Sequence, residues 1–325
     1  MNRREMILRT GAAALGLGLT GYSFSSRAAQ SRNKKVLFFS KSSGYEHSVI
    51  KRKGNELSFA EKILEELGPK HGIEFDFSKD GSLFTPDYLA KFDAFFFYTT
   101  GLLTEAGTDK NPPMTPEGKA AFLDAVKRGK GFIGTHSATD TFHTGEGPGF
   151  DTKDRSMRYH NYGDKADPYV RMIGGAFIIH GAQQKARMRV VDPKFPGFKD
   201  CGESFETMEE WYSLKDFSSN LHVLLVQETE GMKGEPYDRP PYPATWARMH
   251  GRGRVFYTSM GHREDVWTSE RYHDILFGGI AWAVRNVDAD VTPNIEKVTP
   301  GRAQLPPPTP PPSKALKTKE SEKKV

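Results

Sequence analysis

Histidines that follow short apolar runs are the residues of this chain best placed to do chemistry. Gly131-Phe132-Ile133 leads into Gly134-Thr135-His136-Ser137-Ala138-Thr139-Asp140, Phe177-Ile178-Ile179 into His180, and Val255 to Met260 into Gly261-His262. Tyr45-Glu46-His47 follows the first apolar run, and Glu209-Glu210-Trp211-Tyr212 joins two carboxylates to two aromatic rings. An imidazole in such a place donates, accepts or ligates near neutral pH, so the set suits proton transfer and metal binding alike.

His136 comes first among them. Gly134-x-His136-x-Ala138 has the spacing of a nucleophile elbow, but an imidazole stands where a hydrolase needs Ser or Cys. Ser137 reads as a turn or capping hydroxyl with a place in substrate binding, since no elbow centres on it. Asp140 is expected to orient His136 or bind a substrate hydroxyl, unless it caps a helix. His136 and His262 are the candidate acid/base or ligand groups, Glu210 orients hydroxyls, and His180 completes the cleft, with His47 on the binding side.

His180, His262 and Glu210 also form a His/His/carboxylate set of the type that binds zinc with an open position. No H-x-x-x-H or H-E-x-x-H spacing occurs, so one divalent metal and metal-free proton transfer both stay open. Trp211 and Tyr212 beside Glu210 suit a sugar ring, with aromatic faces for C–H groups and a carboxylate for hydroxyls; the same pair also suits a strand core. Gly44 and Gly134 could open phosphate loops, but neither a G-x-G-x-x-G nor a P-loop lysine pattern follows them, which argues against a nucleotide.

Positioning these groups at strand ends calls for a sheet. Val36 to Phe39 is a continuous apolar run, as a parallel strand covered on both faces requires. Ser58 then caps a helix with Phe59, Ile63 and Leu67 on one side and Gly68 as its stop. Ile73 to Phe77 alternates as a strand, Thr85-Pro86 opens a short helix, and Ala94 to Tyr98 is a third strand. Thr115-Pro116 opens the next helix, with Phe122, Ala125 and Val126 on its buried stripe, and Gly129 closes it before Gly131 to Gly134. Four strands alternating with three helices predict a doubly wound α/β sheet whose ligands gather at the carboxyl ends of the strands. Residues 144–168 read as a long polar loop. Lys185 to Val191, Val223 to Gln227, Ala244 to Met249 and Arg254 to Ser259 read as strands of an extension, the last two joined in a hairpin at Gly251-Arg252-Gly253. A final helix carries Tyr272, Ile275, Leu276, Ile280 and Trp282.

The ends differ from this body. Arg3-Arg4, an apolar Gly/Ala/Leu run to Gly21 and small residues at Ser25, Ser26, Ala28 and Ala29 predict a twin-arginine export signal over residues 1–30 and a periplasmic or secreted destination. The proline run from Pro306 to Pro312 and the polar residues after it predict a disordered tail over 299–325. The net charge of +5 belongs to these ends, which carry about +4 each and leave the body near −3; nucleic acid is therefore not an expected partner. The single cysteine, Cys201, excludes an intramolecular disulfide and a Cys-based zinc cluster. Beyond the leader no run is long and apolar enough for a transmembrane anchor.

Lys35 to Lys41 with Gly44-Tyr45-Glu46-His47-Ser48, Gly131 to Asp140, Gly174-Gly175-Ala176-Phe177 with His180, Glu210-Trp211-Tyr212, and Val255 to Thr258 through Gly261-His262 together resemble the ThuA-like family, named for trehalose utilisation. The resemblance covers residues 34 to 285. It implies a flavodoxin-like fold similar to class I glutamine amidotransferases, within a single domain over 34–298. Those amidotransferases place a Cys at the elbow; His136 stands there in this chain, so glutaminase chemistry is expected to be absent. The resemblance also implies sugar catabolism, in some members beside enzymes that oxidise glycosides to 3-keto sugars. The expected partner is a small carbohydrate, acted on by His/carboxylate chemistry; a non-catalytic carbohydrate-binding module and a metal-dependent hydrolase are the alternatives.

Overall fold

The computed structural model describes residues 33–144 and 158–308. The expected export signal, part of the expected polar loop and the tail beyond 308 lie outside the described residues.

Strands β1 (Lys34–Phe39), β2 (Ile73–Ser78), β3 (Ala94–Phe97) and β4 (Gly131–Thr135) alternate with helices α1 (Phe59–Leu67), α2 (Pro86–Ala90) and α3 (Pro116–Lys127). Each helix starts where the sequence places a cap. The Ser58 hydroxyl and Glu61 carboxylate form a reciprocal capping box, and Thr85 and Thr115 accept the amides of Tyr88 and Gly118 ahead of a first-turn proline. Gly68 is the C-cap of α1, as expected, but in the right-handed helical conformation; the chain runs on through a 3-10 turn (Gly68–His71) and reverses at Gly72 with φ of 68°. Gly68 is also a close approach: a Cβ there would lie 2.8 Å from the Ile73 carbonyl oxygen.

One nine-stranded sheet runs β2-β1-β3-β4-β11-β10-β9-β6-β7. Its first part is parallel, from β2 through β4 to β11 (Gly253–Thr258). Its second part is the antiparallel extension of β10 (Tyr242–His250), β9 (His222–Gln227), β6 (Gln184–Val190) and β7 (Ser204–Glu209). The β10–β11 turn is the expected hairpin. A separate two-stranded sheet pairs β5 (Ala176–His180) with β8 (Tyr212–Lys215).

Alternate residues of β1 fill two cores. Val36 and Phe38 pack with α1 and with α5 (Glu270–Ala283), while Leu37 and Phe39 pack with α3 and with α4 (Pro168–Ile173). Coverage on both faces is why these strands read as unbroken apolar runs. Helix α4, capped by Asp167 and closed by Gly174 at φ 94°, occupies a stretch bordering the expected loop. At the other end, Thr299 is buried, the Arg239 guanidinium donates to the Arg302 carbonyl at 2.8 Å, and Asn161 donates to the Ala303 carbonyl at 3.1 Å. The folded body thus continues past residue 298, further than the sequence suggested.

Candidate functional site

The histidines meet at the carboxyl end of the parallel strands. His136 leaves β4 with φ of 43°, a left-handed conformation that a bulky residue adopts at a cost of about 1–3 kcal/mol. The elbow spacing has a steric reason: a Cβ on Gly134 would lie 3.0 Å from that of Ala138 and 3.1 Å from Ile173 and Tyr257 side-chain carbons. The turn that follows is 3-10 (His136–Thr139) rather than an α-helix. The Tyr257 hydroxyl donates to the His136 carbonyl at 2.8 Å and holds the crest. His136 Nδ1 lies 3.2 Å from the Ser259 carbonyl, which only accepts, so Nδ1 carries the proton and Nε2 turns a lone pair inward.

His262 is placed by a residue of the antiparallel half. Glu209, at the end of β7 and wholly buried, accepts the Gly261 and His262 amides on Oε1 at 2.6 and 2.9 Å and the Glu210 amide on Oε2 at 2.8 Å. One carboxylate therefore sets both His262 and Glu210. Burial pushes its pKa up, against the opposing pull of His136 and of the Gly261 and Glu210 amides. Gly261 has φ of 115°, and its carbonyl accepts from Trp267 Nε1 at 2.7 Å and from the Tyr98 hydroxyl at 3.0 Å.

Four residues converge: His47, His136, Glu210 and His262 each offer a donor atom, all within 4.8 Å of one another. His262 Nδ1 lies 3.1 Å from Glu210 Oε2 and 3.2 Å from His136 Nε2, which is itself 3.6 Å from the same carboxylate oxygen. On its far side, His262 Nε2 accepts from the Gln183 amide at 3.0 Å, while Arg263 donates to the Gln183 oxygen at 2.6 Å. This chain of partners puts the His262 proton on Nδ1, shared between Glu210 and His136. Burial, then the charges of His136 and His262, holds His47 far below the usual histidine range, so it stays neutral. Burial opposes ionisation of Glu210 too, but its interactions with the surrounding histidines, His136 and His262 first, outweigh it and hold the carboxyl well below the usual range. Glu210 is an anion among imidazoles.

The remaining expected residues divide. His180 reaches the rim, 3.5 Å from the other oxygen of Glu210, with its side chain 42% exposed; His47, not His180, is the third histidine of the cluster. Tyr212 is buried beneath it, its ring centroid 4.2 Å from that of His136 and its hydroxyl 3.5 Å from His47 Nε2. It is a floor and presents no open face to a sugar. Trp211 is also buried, on the opposite face of the sheet, with Nε1 donating to the Gln184 carbonyl at 3.0 Å. The Trp-Tyr platform is therefore replaced by core packing. Asp140 does not orient His136; it pairs with His143, three residues on, at 2.5 Å. Ser137 is buried, and its hydroxyl makes no capping bond.

Gln183 was not among the candidates, and Glu209 and Tyr45, named only beside Glu210 and His47, had been given no role. Tyr45 is 69% exposed and stands edge-on to His47, with ring centroids 5.0 Å apart. Its signal in the sequence was an aromatic two residues before a site histidine. Beside His262 opens a shallow cleft of about 420 Å³, lined by Ser48, Gln183, His262, Arg263, Glu264 and Asp265. A larger cavity of about 780 Å³ lies against Pro86, Ala90, Arg128, Lys130 and Arg252, at the amino-terminal edge of the strands. Size does not make it the site: it holds none of the converging groups, and ligands of such sheets bind at the carboxyl edge.

Residues 35–153 and 155–283 match a family model, ThuA, described as trehalose utilisation. The chain belongs to the ThuA family. All four converging residues and His180 fall inside the matched ranges, so the ThuA region contains the whole cluster. Among solved structures, a ThuA-like protein from Bacteroides uniformis ATCC 8492 is similar at 17% identity and a TM-score of 0.56, over 80% of this chain and 95% of that one. A ThuA-like protein from Parabacteroides merdae ATCC 43184 is similar at 16% identity and a TM-score of 0.51, over 79% and 92%. These likenesses show the ThuA-like fold. No curated protein matches the sequence.

Proposed function

We propose that the chain is an exported enzyme of carbohydrate catabolism, acting on a sugar or keto-sugar by proton transfer at the His136, His262 and Glu210 cluster. The family's link to trehalose utilisation supports the substrate class. The observation that carries the chemistry is the place of His262 Nδ1, 3.1 Å from Glu210 Oε2 and 3.2 Å from His136 Nε2. It gives a donor, an acceptor and a fixed charge within reach of one bound group. The polar cleft beside His262 suits hydroxyls, and exposed Tyr45 suits the C–H face of a sugar ring. His180, at the rim, is the group that meets the ligand first. The paired arginines and the apolar run before residue 30 support export to the periplasm or beyond.

The test is turnover across a panel of ordinary and 3-oxidised disaccharides, followed by NMR. A cognate sugar should be converted, and His136→Ala should lower the rate by at least about a hundredfold with the fold intact by circular dichroism. Full activity in that variant, or binding without turnover across the panel, would overturn the enzyme reading.

A further inference from the structure

The cluster has more donors than one shared proton uses. Three imidazoles and a carboxylate, from the loop after β1, the end of β4, the β7–β8 connection and the turn after β11, bring one atom each within 4.8 Å of the rest. A four-coordinate transition metal with bonds near 2.1 Å sets its ligand atoms about 3.4 Å apart. The pairs at 3.1, 3.2 and 3.6 Å are already at that spacing. His47 is the fourth donor. It is 98% buried, its Nδ1 has no hydrogen-bond partner, and its ring stands at 4.9 and 5.2 Å from those of His136 and His262, in nearly perpendicular planes. A proton between His262 and Glu210 leaves His47 without a role, whereas a cation uses all four groups.

We propose that His47, His136, His262 and Glu210 bind one divalent transition metal, of which zinc is the probe, at the floor of the site. This deepens the functional reading above and rests on it only for the use to which the metal is put. The donor set is the nitrogen and oxygen mixture zinc accepts, and its outer shell is in place. The Ser259 carbonyl fixes the His136 tautomer, so Nε2 ligates. Gln183 serves His262: once Arg263 releases its oxygen, the amide can turn and accept from a protonated Nε2, which frees Nδ1. Glu209 holds the backbone on both sides, at His262 and Glu210. Binding at Nδ1 therefore moves the shared proton to Nε2, and because the ligand atoms must be unprotonated, uptake falls in acid. His180 stays outside the set, at the rim of the pocket, facing the other oxygen of Glu210. A bound metal polarises a sugar oxygen or a water.

The test uses protein purified without a histidine tag, stripped by chelator and titrated with Co(II) and Zn(II). One Co(II) per chain is expected, with visible d–d bands of low-symmetry coordination and a Kd below about 1 μM. His47→Gln and Glu210→Gln should each weaken binding at least about a hundredfold, and His180→Gln should leave the stoichiometry at one. Circular dichroism and the zinc-free melting temperature identify any variant that fails to fold; His262→Gln serves in its place. No stoichiometric Co(II) uptake, or unchanged affinity in folded His47→Gln, would overturn the site. Sugar turnover by stripped protein that takes up no Co(II) would overturn the metal and keep the functional reading. One Co(II) per chain with no sugar bound or converted would support the metal and sink that reading.

Discussion

Glu209 Oε1 accepts the Gly261 amide at 2.6 Å, joining the end of β7 in the antiparallel half to the turn after β11 in the parallel half. The same oxygen takes the His262 amide, so the cluster's geometry depends on a buried carboxylate that lies behind it. Replacing it by Gln keeps the shape but points an NH2 at a backbone N–H. Glu209→Gln is expected to lower the unfolding free energy by about 1–3 kcal/mol in urea titrations. A loss under about 0.5 kcal/mol would show that the clamp does not matter.

Gly261→Ala should be costly for a different reason. At φ of 115° a Cβ would sit 2.7 Å from the Tyr272 hydroxyl oxygen and 2.8 Å from Thr135 Oγ1. Both atoms are hydrogen-bonded to one another at 2.8 Å and buried, so neither yields cheaply. Calorimetry should record a destabilisation of about 2–4 kcal/mol. An unchanged melting temperature would contradict the packing described.

Tyr45→Ala separates binding from stability. The ring is 69% exposed, so the folding free energy should move by no more than about 0.5 kcal/mol. Affinity for the cognate sugar should drop by about tenfold, the worth of one aromatic contact. Equal affinity for the sugar in calorimetric titrations would remove Tyr45 from the binding surface.

His250 makes an acid-labile point far from the cluster. Burial first, then the charges of Arg248, Lys127 and Arg171, lower its pKa to about 4. The unfolded chain titrates near its ordinary value of about 6.5 and takes up a proton that the folded chain refuses. The stability contributed by neutral His250 is therefore whole above about pH 6.5 and lost as pH falls toward about 4. His250→Gln should flatten that part of the urea midpoint against pH. Parallel curves for the two proteins would refute the assignment.

The parallel half of the fold is legible in the sequence because its strands are covered on both faces and its helices begin with strong caps at Ser58, Thr85 and Thr115. Strands β7 and β8 are less so, since Ser204–Glu209 mixes polar residues and Tyr212–Lys215 spans only four positions. His136 and His262 stand out from their places after strands, and Glu210 from its aromatic neighbours. His47 does not, because its burial under the other rings is a tertiary fact, and His180 takes its place in the sequence reading through the apolar run before it. Asp140 shows a local competitor winning: His143 is within reach in the same turn. Trp211 shows that neighbouring residues in an extended segment face opposite ways, and periodicity alone does not say which way is out.

Strand β11 lies in the middle of the sheet, between β4 and β10, although it is the last strand in the chain among the described residues. Without the hairpin of β10 and β11, β2-β1-β3-β4 and β9-β6-β7 would be two sheets with raw edges, and that hairpin is the wedge that unites them. His262 rides on that wedge, 126 residues from His136. The two imidazoles can therefore face one another only once the central hairpin is paired on both sides.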